Sequence, residues 1–191
     1  MELREQRFGI EIEMTGITRA GAAKVAATYF GTRSEYVGTY YQTYAAVDQE
    51  GRQWKFMSDG SIRAEKKVNG EKRAAGAVYR TEMVSPICRY EDIEKIQELI
   101  RELKKKGAIV NESCGIHVHI DASPFDAGKL RNLTNIMAAK EDLIYKALGV
   151  SVERQHRWCR PVEERFLEEL NRRRPTSMEA VSYTHLRAHE T

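Results

Sequence analysis

The sequence predicts an α+β protein: a mainly antiparallel sheet with helices packed on its apolar side. Three observations carry that reading. Phe8–Met14 and Cys114–Asp121 alternate strictly between apolar and polar residues, the period-2 pattern of a strand with one face buried. Glu91–Lys106 repeats apolar residues at helical spacing. Between them lie short strand-like runs separated by turn residues.

In chain order, Phe8, Ile10, Ile12 and Met14 face one side of the first strand, and Glu11 and Glu13 face the other. Thr18 is placed to cap a small-residue helix running to Phe30, with Gly31 closing it. A tyrosine-rich, strand-like stretch follows, with Tyr36, Tyr40, Tyr41 and Tyr44. Residues 47–52 read as a hairpin loop leading into a strand over Gln53–Met57. Asp59-Gly60 makes a turn, and the charged stretch Arg63–Gly76 is an exposed loop or a second hairpin. Ala77–Val84 reads as a further strand, ended by Ser85-Pro86.

The helix over Glu91–Lys106 carries Ile93, Ile96, Leu99, Ile100 and Leu103 on one stripe. Lys104, Lys105 and Lys106 suit its C-terminal dipole, and Gly107 stops it. In Cys114–Asp121, Ile116, Val118 and Ile120 face one side and His117 and His119 the other. A long helix is expected from Asp126 to Leu148, with Leu130, Leu133, Met137, Leu143, Ile144 and Leu148 placed to pack. A charged helix is expected over Val162–Asn171.

The chain of 191 residues is the size of about one domain, and 41% hydrophobic with 31% charged residues suits a folded globular protein. No apolar run approaches the ~20 residues that cross a bilayer, and MELREQRFGI lacks a signal-peptide core. Three cysteines (Cys88, Cys114, Cys159) without CxxC spacing argue against a disulfide framework or zinc ribbon, so a cytoplasmic setting is expected. The net charge is +3, and the segment 172–191 supplies most of it. The rest of the chain holds 27 basic and 26 acidic residues, leaving no global bias toward nucleic acid.

Three predicted strands present ionisable groups on one face: Glu11 and Glu13, Arg80 and Glu82, His117 and His119. Singly, each has an ordinary explanation: a solvated strand face, a cross-strand salt bridge, a surface histidine pair. Together they are harder to dismiss. Alternate side chains on a strand are roughly 6.5–7 Å apart and neighbouring strands roughly 4.8 Å apart. On adjacent strands these carboxylates and imidazoles converge, and carboxylates so close repel one another without a cation. Oxygen ligands with imidazole suit Mg²⁺ or Mn²⁺ better than zinc.

Four motifs occur in an order that resembles the amidoligase family, a group related to glutamine synthetase and γ-glutamylcysteine synthetase. They are Phe8-Gly-Ile-Glu-Ile-Glu13, Trp54-Lys-Phe-Met-Ser-Asp-Gly-Ser-Ile62, Thr81-Glu-Met-Val-Ser-Pro86 and Cys114-Gly-Ile-His-Val-His-Ile-Asp121. The resemblance covers roughly residues 7–170. It implies a curved antiparallel sheet of glutamine synthetase-like catalytic fold whose polar face holds ATP and Mg²⁺ or Mn²⁺. Glu11, Glu13, Glu82 and His117 match the family's metal ligands, and His119 the second histidine of its motif, with a role toward the cofactor. Lys55, Asp59 and Arg80 lie in or beside family motifs as catalytic or phosphate- and substrate-contacting residues, and ordinary surface roles stay open for Lys55 and Arg80.

The implied reaction joins a carboxylate to an amine or ammonia through an acyl phosphate. Free amino acids, peptides, cell-wall components and protein side chains are all open as substrates, and neither nucleic acid nor membrane is an expected partner. No Walker motif GxxxxGK[ST] is present, so phosphate binding would rest on metal and side chains. A metal-dependent hydrolase using the same Glu/His cluster is the alternative, and a non-catalytic remnant of the fold is a third reading.

The chain departs from the family after Pro161. The family's late strand with a Glu-x-Arg motif has no counterpart here, and the peptide 181–191 resembles translated sequencing adapter. Residues 1–180 are therefore expected to form a catalytic domain truncated at its C-terminus, with 181–191 a non-native tail. His156 and Cys159 are too few for a metal site, Trp158 is expected to pack in a core, and Arg172–Arg174 read as a solvated helix end.

Overall fold

A computed structural model describes residues 2–188. The chain divides into two compact units, Met1–Asp121 and Ala122–Thr191.

The first unit contains β1 (Phe8–Met14), α1 (Arg19–Phe30), β2 (Ser34–Gly38), β3 (Thr43–Val47), β4 (Gln53–Met57), β5 (Glu65–Val68), β6 (Glu71–Ala74), β7 (Thr81–Val84), α2 (Asp92–Lys105) and β8 (Ile116–Ile120). Six strands form one antiparallel sheet in the order β2-β3-β4-β7-β1-β8, and β5 and β6 make a separate hairpin. The charged stretch 63–76 is thus the second hairpin.

Strand alternation and register assign the two faces of the large sheet. Tyr44 pairs with Phe56, Phe56 with Met83, Met83 with Ile12, and Ile12 with Ile116, so these side chains share one face. Helices α1 and α2 pack there over Trp54, Phe56, Met83 and Met14. Each large side chain fully buried in this way contributes about 1.5–3 kcal/mol. Helix α1 lies close to the sheet because its inner positions are Ala22, Ala23, Ala26 and Ala27, ending in Phe30.

The caps of α1 form as the sequence predicts. The Thr18 side chain accepts from the Gly21 amide, and Gly31 closes the helix at φ 68°. In α2, Ile96, Leu99 and Leu103 are buried, whereas Ile93 is exposed on the flank of the stripe. Gly16, at φ 80°, turns the chain from β1 toward α1, and a Cβ there would lie 2.4 Å from the Gly107 carbonyl oxygen. The β3–β4 hairpin is tied to α2 by a charge network. Asp48 accepts from the Trp54 indole (3.0 Å) and the Arg52 backbone amide (2.9 Å), and Arg52 forks onto both Asp92 oxygens (2.8 and 2.9 Å).

Three expectations change in this unit. Ala77–Val84 is not one strand: Ala77–Tyr79 form a 3₁₀ turn, and β7 begins only at Thr81, leaving Arg80 outside the ladder. The tyrosine-rich stretch splits into β2 and β3, with Tyr40 and Tyr41 in the connection. Ile116, Val118 and Ile120 share a side as expected but are at least half exposed, because β8 is a sheet edge.

The second unit contains α3 (Ala127–Leu148), α4 (Val152–Arg157), α5 (Glu164–Arg173) and α6 (Met178–Ala188). Asp126 caps α3 by accepting from the Lys129 amide. Its core is small: Ala127, Leu170 and Val181, flanked by Leu130 and Phe166. Leu133, Met137, Leu143 and Leu148, placed to pack by their spacing, are exposed, since the short α5 and α6 offer little surface to a helix of 22 residues. Trp158 is 65% exposed rather than part of a core. The charged helix is displaced by two residues from its expected span. The segment set apart as 181–191 continues α6 through Ala188, with Val181 buried and the His185 ring edge-on to Phe166; residues 189–191 lie outside the described residues. No helix among the described residues is long and apolar enough to cross a membrane.

Candidate metal centre

Opposite the helices, the large sheet presents a polar face, and the strand registers place its side chains in two cross-strand rows. One row runs Lys55, Val84, Glu11, His117 across β4, β7, β1 and β8. The next holds Met57, Glu82 and Glu13, with Gly115 closing it: the Gly115 amide donates to Glu13 Oε2 at 2.6 Å, and the Glu13 amide to the Gly115 carbonyl at 3.0 Å. Glu11 and Glu13 share this face because they alternate with the partly buried Ile10 and Ile12 and the buried Met14, which face the helices.

Directly opposed carboxylates on adjacent strands repel, and Glu13 stands opposite Glu82. Ligand atoms of Glu11, Glu82 and His117 lie within 4.8 Å of one another, and so do those of Glu13, Asp59 and Glu82. Glu82 thus belongs to both groups. Asp59 joins from the turn after β4, where its Oδ1 accepts from the Ser61 amide at 2.6 Å, an Asx turn that fixes the side chain.

The electrostatics follow from this crowding. Burial, then Glu11, Asp59 and Glu13, push the Glu82 carboxyl up to about 7. Glu13 is also raised, mainly by burial and further by Asp59, against the lowering effect of the Gly115 amide. At Glu11 burial acts upward, but hydrogen bonds from His119 and His117 outweigh it and the carboxyl is lowered. Both rings meet the same oxygen, His117 Nδ1 at 3.1 Å and His119 Nε2 at 3.2 Å from Glu11 Oε2. Among the described residues no lysine or arginine forms an ion pair with Glu11, Glu13, Glu82 or Asp59.

Each residue singled out on sequence has a definite position. Glu11, Glu13, Glu82 and His117 converge, and His119 is held to the same centre through Glu11. Asp59, grouped on sequence with the phosphate- and substrate-contacting residues, stands among the carboxylates. Lys55 is exposed at the end of the Glu11 row, one strand beyond Val84. Arg80 precedes β7; its carbonyl accepts from Arg19 and its Nε is buried without a partner. The Gly115 amide under Glu13 was not legible in the sequence, because a glycine beside a histidine motif signals flexibility rather than a donor.

Four carboxylates and an imidazole without a neutralising side chain form a donor set that fits one or two hard divalent cations, Mg²⁺ or Mn²⁺. No curated protein and no solved structure matches the chain. The family described as "Putative amidoligase enzyme" matches residues 4–191, nearly the whole length, and the protein belongs to that amidoligase family.

Proposed function

We propose that the protein is an ATP- and Mg²⁺- or Mn²⁺-dependent ligase that joins a carboxylate to an amine or ammonia, on a sheet of glutamine synthetase-like type. The observation that carries this reading is the pair of acid-rich groups sharing Glu82 on the open polar face of an antiparallel sheet, in a chain of the amidoligase family. Glu11, Glu82 and His117 would hold one cation, and Glu13, Asp59 and Glu82 another. When bound, such ions neutralise the charge that develops on phosphate oxygens during transfer.

The chain's own residues do the positioning. His119 adds a second hydrogen bond to Glu11 and fixes its rotamer, and the Gly115 amide does the same for Glu13. Lys55 offers an exposed ammonium on the same face to a phosphate or substrate carboxylate. Arg80, immediately before β7 and its family motif, is the second candidate cation. In the reaction a carboxylate oxygen attacks the γ-phosphorus of ATP and ADP leaves. The amine nitrogen then attacks the acyl carbon of the acyl phosphate, phosphate leaves, and the amine proton passes to solvent.

The test is release of ADP and phosphate with a panel of amino acids and short peptides as carboxylate and ammonia or amino acids as amine. Turnover that needs ATP, Mn²⁺ and both substrates, and that Glu13→Ala abolishes while the thermal unfolding profile stays cooperative, is the expected result. Undiminished turnover by Glu13→Ala would sink the assignment. Metal-dependent cleavage of an amide or peptide by water without ATP would replace the ligase with a hydrolase, and no metal binding at all would make the fold non-catalytic.

A further inference from the structure

A second cluster in the first unit lies away from the acidic face. Arg19 opens α1 and is only 4% exposed. Its Nη1 donates to the carbonyls of Ala77 (2.9 Å) and Arg80 (3.0 Å), and its Nη2 to Oε1 of Gln42. Three of the five guanidinium donors thus meet neutral acceptors, and Nε is buried with no partner. Among the described residues no carboxylate pairs with Arg19. A cation so placed is uncompensated, a costly condition that a bound anion relieves. Burial lowers its pKa, with Tyr44 and Tyr36 acting in the opposite direction.

Arg19 lines a cavity of about 320 Å³ together with Ala20, Tyr36, Gln42 and Tyr44. Other features there also favour negative charge. Thr18 satisfies the Gly21 and Ala22 amides, and the first-turn amides of Arg19 and Ala20 have no acceptor among the described residues. The Tyr36 and Tyr44 rings, with centroids 4.9 Å apart, form an aromatic wall suited to a hydrocarbon body. No second lysine or arginine lines the cavity, which matches a single negative charge better than a phosphate dianion. Tyr44 projects from the helix-bearing face of the sheet, opposite to Glu11, Glu13 and Glu82.

We propose that this cavity is a receptor for a small carboxylate with an apolar body, distinct from the acidic cluster and independent of whether that cluster binds metal. The probe is sodium butyrate, titrated by calorimetry at constant ionic strength, with inorganic phosphate as the competing anion. Saturable binding is expected for the wild-type chain and for Glu13→Ala. Arg19→Met should weaken it about tenfold or more, the size of a lost charge-assisted contact.

Because Arg19→Met removes a buried side chain, Gln42→Glu is the second variant. It supplies an internal carboxylate to Nη2, so it should abolish butyrate binding and raise the unfolding temperature. Unchanged butyrate affinity in Gln42→Glu, or no saturable binding to the wild type, overturns the proposal. So does loss of binding in Glu13→Ala, or phosphate binding more tightly than butyrate.

Discussion

Glu82 is shared by both acidic groups, and replacing it with glutamine separates the cost of the centre from its use. Its ligand oxygen lies within 4.8 Å of those of Glu11, Glu13 and Asp59. At that distance two unit charges repel by about 3.5 kcal/mol at an effective dielectric of 20. The carboxyl escapes part of this by holding its proton, with its pKa raised to about 7 by burial and its three acidic neighbours. An acid that is harder to ionise in the folded state makes that state bind more protons than the unfolded chain. Metal-free stability therefore falls as pH rises from about 4.5 to about 7, and the loss is complete above that.

Such a displacement corresponds to about 3 kcal/mol, which solvent screening at this only partly buried position reduces to about 1–2 kcal/mol. In EDTA at pH 8, Glu82→Gln should unfold several degrees above the wild type, at about 2–4 °C per kcal/mol. At pH 5 the two midpoints should converge. Adding Mn²⁺ should reverse the order, because the wild type gains from binding and the variant has lost a ligand common to both groups. Thermal unfolding followed by circular dichroism reads all four conditions. A variant that is less stable than the wild type in EDTA at pH 8, or that gains as much from Mn²⁺, would refute the reasoning.

Asp92→Asn should cost about 2 kcal/mol at pH 7 in urea denaturation, since Arg52 forks onto both Asp92 oxygens and holds its pKa at about 2. That stabilisation is present above the ordinary aspartate range and disappears as pH falls from about 4 to about 2, so wild type and variant should converge in acid. Gly16→Ala should destabilise by about 1–3 kcal/mol or more, because its Cβ meets the Gly107 carbonyl at 2.4 Å in a left-handed turn; an unchanged urea midpoint would contradict this. Leu170→Ala should cost about 2–5 kcal/mol of local stability, seen as faster amide exchange in α3, α5 and α6 with little change in β1 and β7.

Much of the first unit is written in local pattern. Alternation placed Glu11 and Glu13 opposite to Ile10, Ile12 and Met14, and His117 and His119 opposite to Val118, because period 2 is a property of each strand alone. The Thr18 and Gly31 caps of α1 were legible for the same reason: a cap is chemistry within one turn of helix. Local pattern also misled. The apolar spacing of α3 does not say whether a partner surface exists, and the β-prone run Ala77–Val84 does not reveal the 3₁₀ turn that withholds Arg80 from the ladder.

The sequence by itself determined which side chains each strand turns to the polar face, and through four ordered motifs it determined the family. Only the tertiary structure decided that β7 lies between β4 and β1 and that β8 pairs with β1, which brings Glu82 against Glu13 and His117 against Glu11. It also brought Asp59 into the carboxylate group and left Arg19 buried without a counter-ion. The physical reason is range. Side-chain alternation and capping act over a few bonds, whereas the pairing of strands some 70–105 residues apart, and the electrostatic cost of the charges they collect, exist only once the chain has closed those loops.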